Sequence, residues 1–285
     1  VSGAAGEAGA AGGGASGRGR FDGRVALVVG GSLGIGLAAA ERFAADGARV
    51  VLGGHDAASV DAAVASVAAV APDGEAAVAG LAGDVRDDDW AAALVAAARE
   101  RFGGLDVFVY SAGVQRYGTL EQTDRATWEE VFDVNVGGIH RVGRLALPAL
   151  RERGGGAVVL VSSVQATASQ QGVAAYAASK GAISTLTRAM ALDHAAERIR
   201  VNAVAPGSVD TPMLRWAADL FKGEGTVEQT VAQWGSTHPL GRVATTAEVG
   251  AAIAWLASDD AAFVTGAELR VDGGLLAKAA VELPR

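Results

Sequence analysis

The sequence predicts an α/β fold: a single domain on a doubly wound, parallel, seven-stranded sheet with helices on both faces. Three observations carry that prediction. From Arg24 onward, strand-like apolar runs alternate with helix-like stretches, as βαβ units require. Two of the runs, Val25-Ala-Leu-Val-Val29 and Ala157-Val-Val-Leu-Val161, are apolar at every position, which suits strands covered on both faces. A glycine-rich turn, Gly30-Gly-Ser-Leu-Gly-Ile-Gly36, lies directly between the first strand and the first helix. Right-handed crossovers then wind the sheet to both sides.

Taken in order, the first strand is Val25–Val29, and its helix runs from about Ile35 to Asp46, stopping at Gly47. Arg49–Leu52 is the second strand, Ala76–Leu81 the third and Leu105–Tyr110 the fourth. Ala157–Val161, Arg200–Val204 and Ala267–Val271 complete the seven. Helical patterns fall near Asp56–Val70, Asp88–Phe102, Trp128–Arg153, Ala175–Ala196 and Ala247–Ala257. Asp56 reads as the N-cap of the second helix. No internal repeat and no second domain boundary interrupts this series.

Composition excludes several functions. The net charge of −8 over 285 residues and the lack of a basic run argue against nucleic acid as a partner. With no cysteine, the chain has no disulfide, thiolate metal site or cysteine nucleophile. The histidines do not cluster, so no metal site is expected. No stretch approaches the roughly 18 uncharged apolar residues that span a bilayer, and a cytoplasmic protein is expected. Residues 1–20 are nearly all Gly, Ala and Ser. They have no apolar signal-peptide core and too little apolar surface to order themselves, so a flexible tail is expected there, with the domain at 21–285.

Chemistry gathers around Tyr176-Ala-Ala-Ser-Lys180 and Ser163. On a helix, Tyr176 and Lys180 share one face. A lysine ammonium beside a phenol favours the phenolate, bringing a group of ordinary pKa about 10 toward neutral pH. Ser163 follows the fifth strand, where its hydroxyl can hold a substrate oxygen. The glycine turn lets backbone approach a pyrophosphate at a helix N-terminus.

These motifs fall in a characteristic order: Gly30-x-x-x-Gly34-x-Gly36, Asp84-Val85, Ser111-Ala112-Gly113, Asn135, Ser163, Tyr176, Lys180 and Pro206-Gly207. From Phe21 to the C-terminus the chain resembles the short-chain dehydrogenase/reductase (SDR) family. The resemblance implies a Rossmann-like fold, an NAD(P) cofactor and hydride transfer between a secondary alcohol and a carbonyl. It implies that Tyr176 is the general acid/base, Lys180 its partner and a ribose ligand, Ser163 the substrate-oxygen holder and Asn135 part of a proton relay. Gly30, Ser32, Leu33, Gly34, Ile35 and Gly36 would cradle the pyrophosphate, and Asp84 and Val85 the adenine. Ser111, Ala112 and Gly113 would flank the adenosine ribose, and Pro206, Gly207, Val209 and Thr211 the nicotinamide. Two positions depart from the family pattern. Val29 stands where a threonine is usual, and Tyr110 where an asparagine is usual; both put the stability of their turns in question.

Cofactor preference rests on the end of the second strand. NAD-dependent members carry an acid there for the ribose diol; here that position is Gly54. His55 falls where NADP-dependent members often carry arginine, so NADP is favoured over NAD. Residues 212–239 read as a substrate lid containing Trp216. Gln115, Arg116, Gln165, Gln170 and Gln171 suggest a polar pocket, which favours a sugar or polyol over a 3-oxoacyl thioester. A cofactor-binding sensor without catalysis is the remote alternative. The resemblance also implies a homodimer or homotetramer.

Overall fold

The computed structural model describes residues 19–279. All seven strands are present: β1 (Val25–Val29), β2 (Arg49–Gly54), β3 (Val78–Ala82), β4 (Val107–Tyr110), β5 (Gly156–Val161), β6 (Ile199–Pro206) and β7 (Glu268–Val271). They form one parallel sheet in the order β3-β2-β1-β4-β5-β6-β7. Strand order reverses between β1 and β4, which opens a crevice at the carboxyl ends of the strands. The third strand starts later than its apolar pattern suggests, because Gly74–Ala77 is a 3₁₀ turn. The second and sixth run two residues further than expected.

Alternation along each strand divides the core. Ala26 and Val28 face the helices α1 (Gly34–Ala45), α2 (Ala57–Val70) and α9 (Thr246–Ala257), meeting Phe43, Val67 and Ile253. Val25, Leu27 and Val29 face the opposite layer, α3 (Asp88–Phe102), α5 (Gly138–Glu152) and α6 (Ala174–His194), meeting Leu94, Val142 and Ile183. Both faces are therefore buried, and each buried Val, Leu or Ile contributes about 1.5–3 kcal/mol. Asp56 caps α2 as expected, accepting from the Ser59 N–H at 2.8 Å.

Two stretches differ from the sequence reading. The helix expected over Trp128–Arg153 is broken: α4 (Arg125–Phe132) passes into a π turn, Asp133–Gly137, before α5. The extra residue of a π turn does not alter composition, so hydrophobic periodicity does not reveal it. Within 212–239 the chain folds into α7 (Pro212–Phe221) and α8 (Val227–Ser236). Thr211 caps α7 ahead of Pro212, and Thr226 with Gln229 forms a capping box on α8.

Only Gly19 and Arg20 of the expected tail are among the described residues; Arg20 pairs with Asp260 at 3.0 Å. Among the described residues, no helix is long and apolar enough to cross a membrane.

Candidate active site

Parallel register brings Val29 level with Gly53 and Tyr110, and Tyr110 level with Leu160. The loops that follow these residues form the rim of the crevice. At β1 the turn is held by backbone alone. Gly30 and Gly31 N–H groups both donate to the Gly53 carbonyl at 2.9 Å, and those of Ser111 and Ala112 donate to the Val29 carbonyl at 2.8 and 3.1 Å. Val29 therefore leaves the turn supported without a side-chain hydroxyl. Gly30 has φ +75°, open to glycine at little cost. A Cβ on Gly36 would lie 2.0 Å from the Gly30 carbonyl oxygen, so Gly36 sits beneath the turn and lets α1 approach it. It does not line the cavity.

A cavity of about 1000 Å³ runs from this turn along the crevice to α7. Gly30, Ser32, Leu33, Gly34 and Ile35 form its first wall. The N-cap of α1, Leu33, is extended and has no side-chain cap bond, so no N-cap side chain satisfies the first N–H groups of the helix. Free N–H groups at a helix N-terminus suit a pyrophosphate. Farther along, Ser111, Ala112, Gly113, Pro206, Gly207, Val209 and Thr211 also line the cavity, and the residues fit a dinucleotide lying across the switch point.

His55, Asp84 and Val85 line the end beyond β2 and β3. A side chain at Gly54 would meet Ser32 Oγ at 2.4 Å and Val60 Cγ2 at 2.9 Å, so this end has no room for an acid as the loop now stands. Asp84 is not free: Arg86 donates to both its carboxylate oxygens, at 3.0 and 2.6 Å, and holds its pKa down to about 2.

Ser163, Tyr176 and Lys180 converge where β5 meets α6, and all three line the cavity. The Ser163 hydroxyl accepts from the Gln165 N–H at 3.1 Å and stands close enough to the Tyr176 phenol to favour its ionisation. Lys180 Nζ donates to the Val161 carbonyl at 2.9 Å and lies 5.5 Å from the Tyr176 ring centroid. The expected lowering of the tyrosine pKa is not met here. Burial pushes the Tyr176 phenol up to about 12, against the pull of Ser163. The same burial pushes Lys180 down to about 8. With both groups removed from water, desolvation exceeds their mutual effect.

Asn135 lies behind this set, fully buried in the π turn and outside the cavity wall. Its Nδ2 donates to the Val114 carbonyl at 3.0 Å and to Ser179 Oγ at 2.9 Å, and its Oδ1 accepts from the Val114 N–H at 2.7 Å. It ties the loop after β4 to α6. A Cβ on Gly113 would lie 3.3 Å from Asn135 Oδ1 and 3.5 Å from Lys180 Nζ, so the absent side chain keeps this corner open. Tyr110 strengthens the arrangement rather than disturbing its turn. It is buried, and its hydroxyl donates to the Val134 carbonyl at 2.5 Å. Gly138 leaves the space that hydroxyl occupies.

At the α7 end, Gln115, Gln165 and Gln170 line the cavity, with Arg116 and Gln171 beside them. Trp216 does not line it. Half-exposed on α7, it packs on Tyr117, with ring centroids 5.8 Å apart. The Phe221 ring meets Tyr117 edge-on at 4.6 Å. Tyr117, Arg86, Glu130 and the Leu275–Leu276 segment are cavity residues that the sequence reading did not single out. Tyr117 follows the Gly113 motif by four residues, but its pairing with α7 arises only in the tertiary fold. Among the described residues, no group of three or more His, Asp or Glu stands together as a metal site.

Comparison with known proteins agrees with this architecture. Residues 30–276 match a family model described as enoyl-(acyl carrier protein) reductase. The chain is 39% identical over 258 residues to cis-4-hydroxycyclohexanecarboxylate dehydrogenase of Sinomonas cyclohexanicum, covering 90% of this chain and 98% of that one. It is 39% identical over 260 residues to galactitol 2-dehydrogenase (L-tagatose-forming) of Cereibacter sphaeroides, covering 90% and 96%. The ligand-free aldohexose dehydrogenase of Thermoplasma acidophilum superposes with a TM-score of 0.84 at 34% identity, covering 94% of this chain and all of that one. Fold, ordered motifs and relatives agree: this chain belongs to the short-chain dehydrogenase/reductase family and is an NAD(P)-dependent oxidoreductase acting on CH–OH donors.

Proposed function

We propose that the enzyme interconverts a secondary alcohol of the sugar or polyol class and its ketone, with Tyr176 as the proton-transfer group. One observation carries this reading: Ser163, Tyr176 and Lys180 meet at one end of a cavity whose other end is a bare helix N-terminus. The bound nicotinamide supplies hydride acceptance and donation. In ketone reduction the Tyr176 phenol gives its proton to the carbonyl oxygen as the carbinol C–H bond forms; oxidation reverses both transfers. Ser163 holds the substrate oxygen against the phenol. Lys180 would hold the ribose hydroxyls of the bound dinucleotide, and it places its charge near the phenol. Asn135 fixes the loop beside Lys180. The helices α7 and α8 cover the reacting centre, which favours hydride chemistry by excluding water.

NADP is favoured over NAD. The Gly54 position offers no carboxylate and no room for one, and His55 lines that end of the cavity. A carrier-bound thioester is disfavoured because the basic residues suited to recognising it are already paired. Arg116 holds Glu130, Arg215 holds Asp210 and Lys222 holds Asp219. A homodimer or homotetramer belongs to the same reading, supported by the exposed Phe263 and Leu192; light scattering measures it.

The decisive experiment compares wild type with Tyr176→Phe, using NAD⁺ and NADP⁺ with a panel of polyols and secondary alcohols. The variant should lose about 10²–10⁴-fold in kcat while binding the dinucleotide normally. An undiminished rate would overturn the assignment of Tyr176.

A further inference from the structure

Two polar groups beside the reacting centre have no protein partner. The Tyr117 hydroxyl makes no hydrogen bond to any described residue. Its ring is fixed from two sides by Phe221 and Trp216, and its phenol lies near enough to that of Tyr176 to oppose its ionisation. Gln165 stands two residues after Ser163 and lines the same cavity. Its Nε2 donates to Gln170 Oε1 at 3.1 Å, which leaves Oε1 a buried acceptor without a donor. A buried acceptor left unpaired is an uncompensated cost that a donor removes. A small turn of the Gln165 amide into the cavity would present Oε1 to a ligand.

A phenol that can donate and an amide oxygen that can only accept together match one hydroxyl group, which does both. A carboxylate can accept from the phenol but has no proton to give Gln165 Oε1, so it meets only one of the two requirements. It also finds no uncommitted arginine or lysine along the wall. Arg116 gives Nε and Nη2 to Glu130 at 2.9 and 2.7 Å and Nη1 to the Gln115 carbonyl at 3.0 Å. Arg86 is held by Asp84, and Lys180 by the Val161 carbonyl. Phe221, Met213 and Trp234 supply an apolar wall for a carbon frame.

We propose that the substrate is an uncharged alcohol with a second hydroxyl on the carbon next to the reacting one, selected by Tyr117 and Gln165. This rests on the dehydrogenase reading above and specifies the substrate of that same site.

The test uses one carbon frame with three neighbours to the carbinol: 1,2-cyclohexanediol (cis and trans), cyclohexanol and 2-hydroxycyclohexanecarboxylate. Initial rates are measured for wild type, Tyr117→Phe, Gln165→Leu and Tyr176→Phe, with dinucleotide affinity and melting temperature recorded for each. One diol isomer should exceed both cyclohexanol and the carboxylate by about tenfold or more in kcat/KM. Tyr117→Phe keeps the ring contacts, and it and Gln165→Leu should each cut the diol-to-cyclohexanol ratio by about fivefold. Cyclohexanol turned over as well as the diols, a preference for the carboxylate, or a ratio untouched in both variants would overturn the proposal. Turnover surviving in Tyr176→Phe would instead mark failure of the underlying mechanism. Failure of wild type to oxidise either diol while it oxidises open-chain polyols would overturn the proposal and leave the dehydrogenase reading standing.

Discussion

Replacing Lys180 with methionine should change how stability depends on pH, by an amount that follows from burial. Lys180 is 4% exposed, and burial holds its pKa at about 8, against an ordinary value of 10.5. Between those two values the unfolded chain binds more of this proton than the native state does. Stability from this group is therefore complete above pH 10.5 and is lost as pH falls through 8. At about 1.36 kcal/mol per pKa unit, the full cost at neutral pH is roughly 3 kcal/mol. Between pH 7 and pH 10 the wild type should gain about 2–3 kcal/mol relative to Lys180→Met. Urea unfolding at pH 7, 8, 9 and 10, at constant ionic strength, measures this difference. The variant also loses the bond to the Val161 carbonyl, which offsets the two curves without changing their divergence. Tyr176, raised to about 12, acts with the opposite sign only above pH 10, so the window ends there. Parallel stability curves would refute the reasoning.

Three further outcomes follow from the same geometry. Tyr110→Phe removes the donor to the Val134 carbonyl and should cost about 1–3 kcal/mol; calorimetry should find a melting temperature lower by roughly 2–10 °C. Gly36→Ala places a methyl group 2.0 Å from the Gly30 carbonyl oxygen, a backbone atom that cannot swing aside. Titration calorimetry should find dinucleotide affinity reduced by about tenfold or more. His55→Ala should raise the KM for NADP⁺ by about threefold to tenfold and leave that for NAD⁺ nearly unchanged, since His55 is the group proposed to meet the 2′-phosphate. Equal changes with the two cofactors would remove His55 from that role.

Much of the fold was legible because its central strands β1, β4 and β5 are almost wholly apolar and many of its turns are marked by glycine. Val25–Val29, Asp88–Phe102 and Ala157–Val161 fall within a residue of their expected bounds. The meeting of Ser163, Tyr176 and Lys180 in one cavity was legible too, since they lie close in sequence across one β5–α6 unit. What escaped were contacts between distant segments. Tyr117 has no local pattern, and its partners lie on α7. Trp216 was expected in the pocket because it is aromatic and in the lid, yet its helix turns it outward onto Tyr117. The ionisation of Tyr176 was misjudged because spacing reveals Lys180 but not how far both groups are buried.

The π turn at Asp133–Gly137 leaves α4 and α5 one residue out of step with a continuous helix. Deleting a single residue there would restore ordinary helical bonding from Arg125 to Glu152. It would also rotate α4 by about 100° relative to α5. Val131 would leave the core, Glu130 would release Arg116, and Tyr110 would lose the Val134 carbonyl. Helical regularity and an intact site are thus alternatives at this point in the chain. Selection for helix stability alone would shorten it here and dismantle the corner that Asn135 holds together.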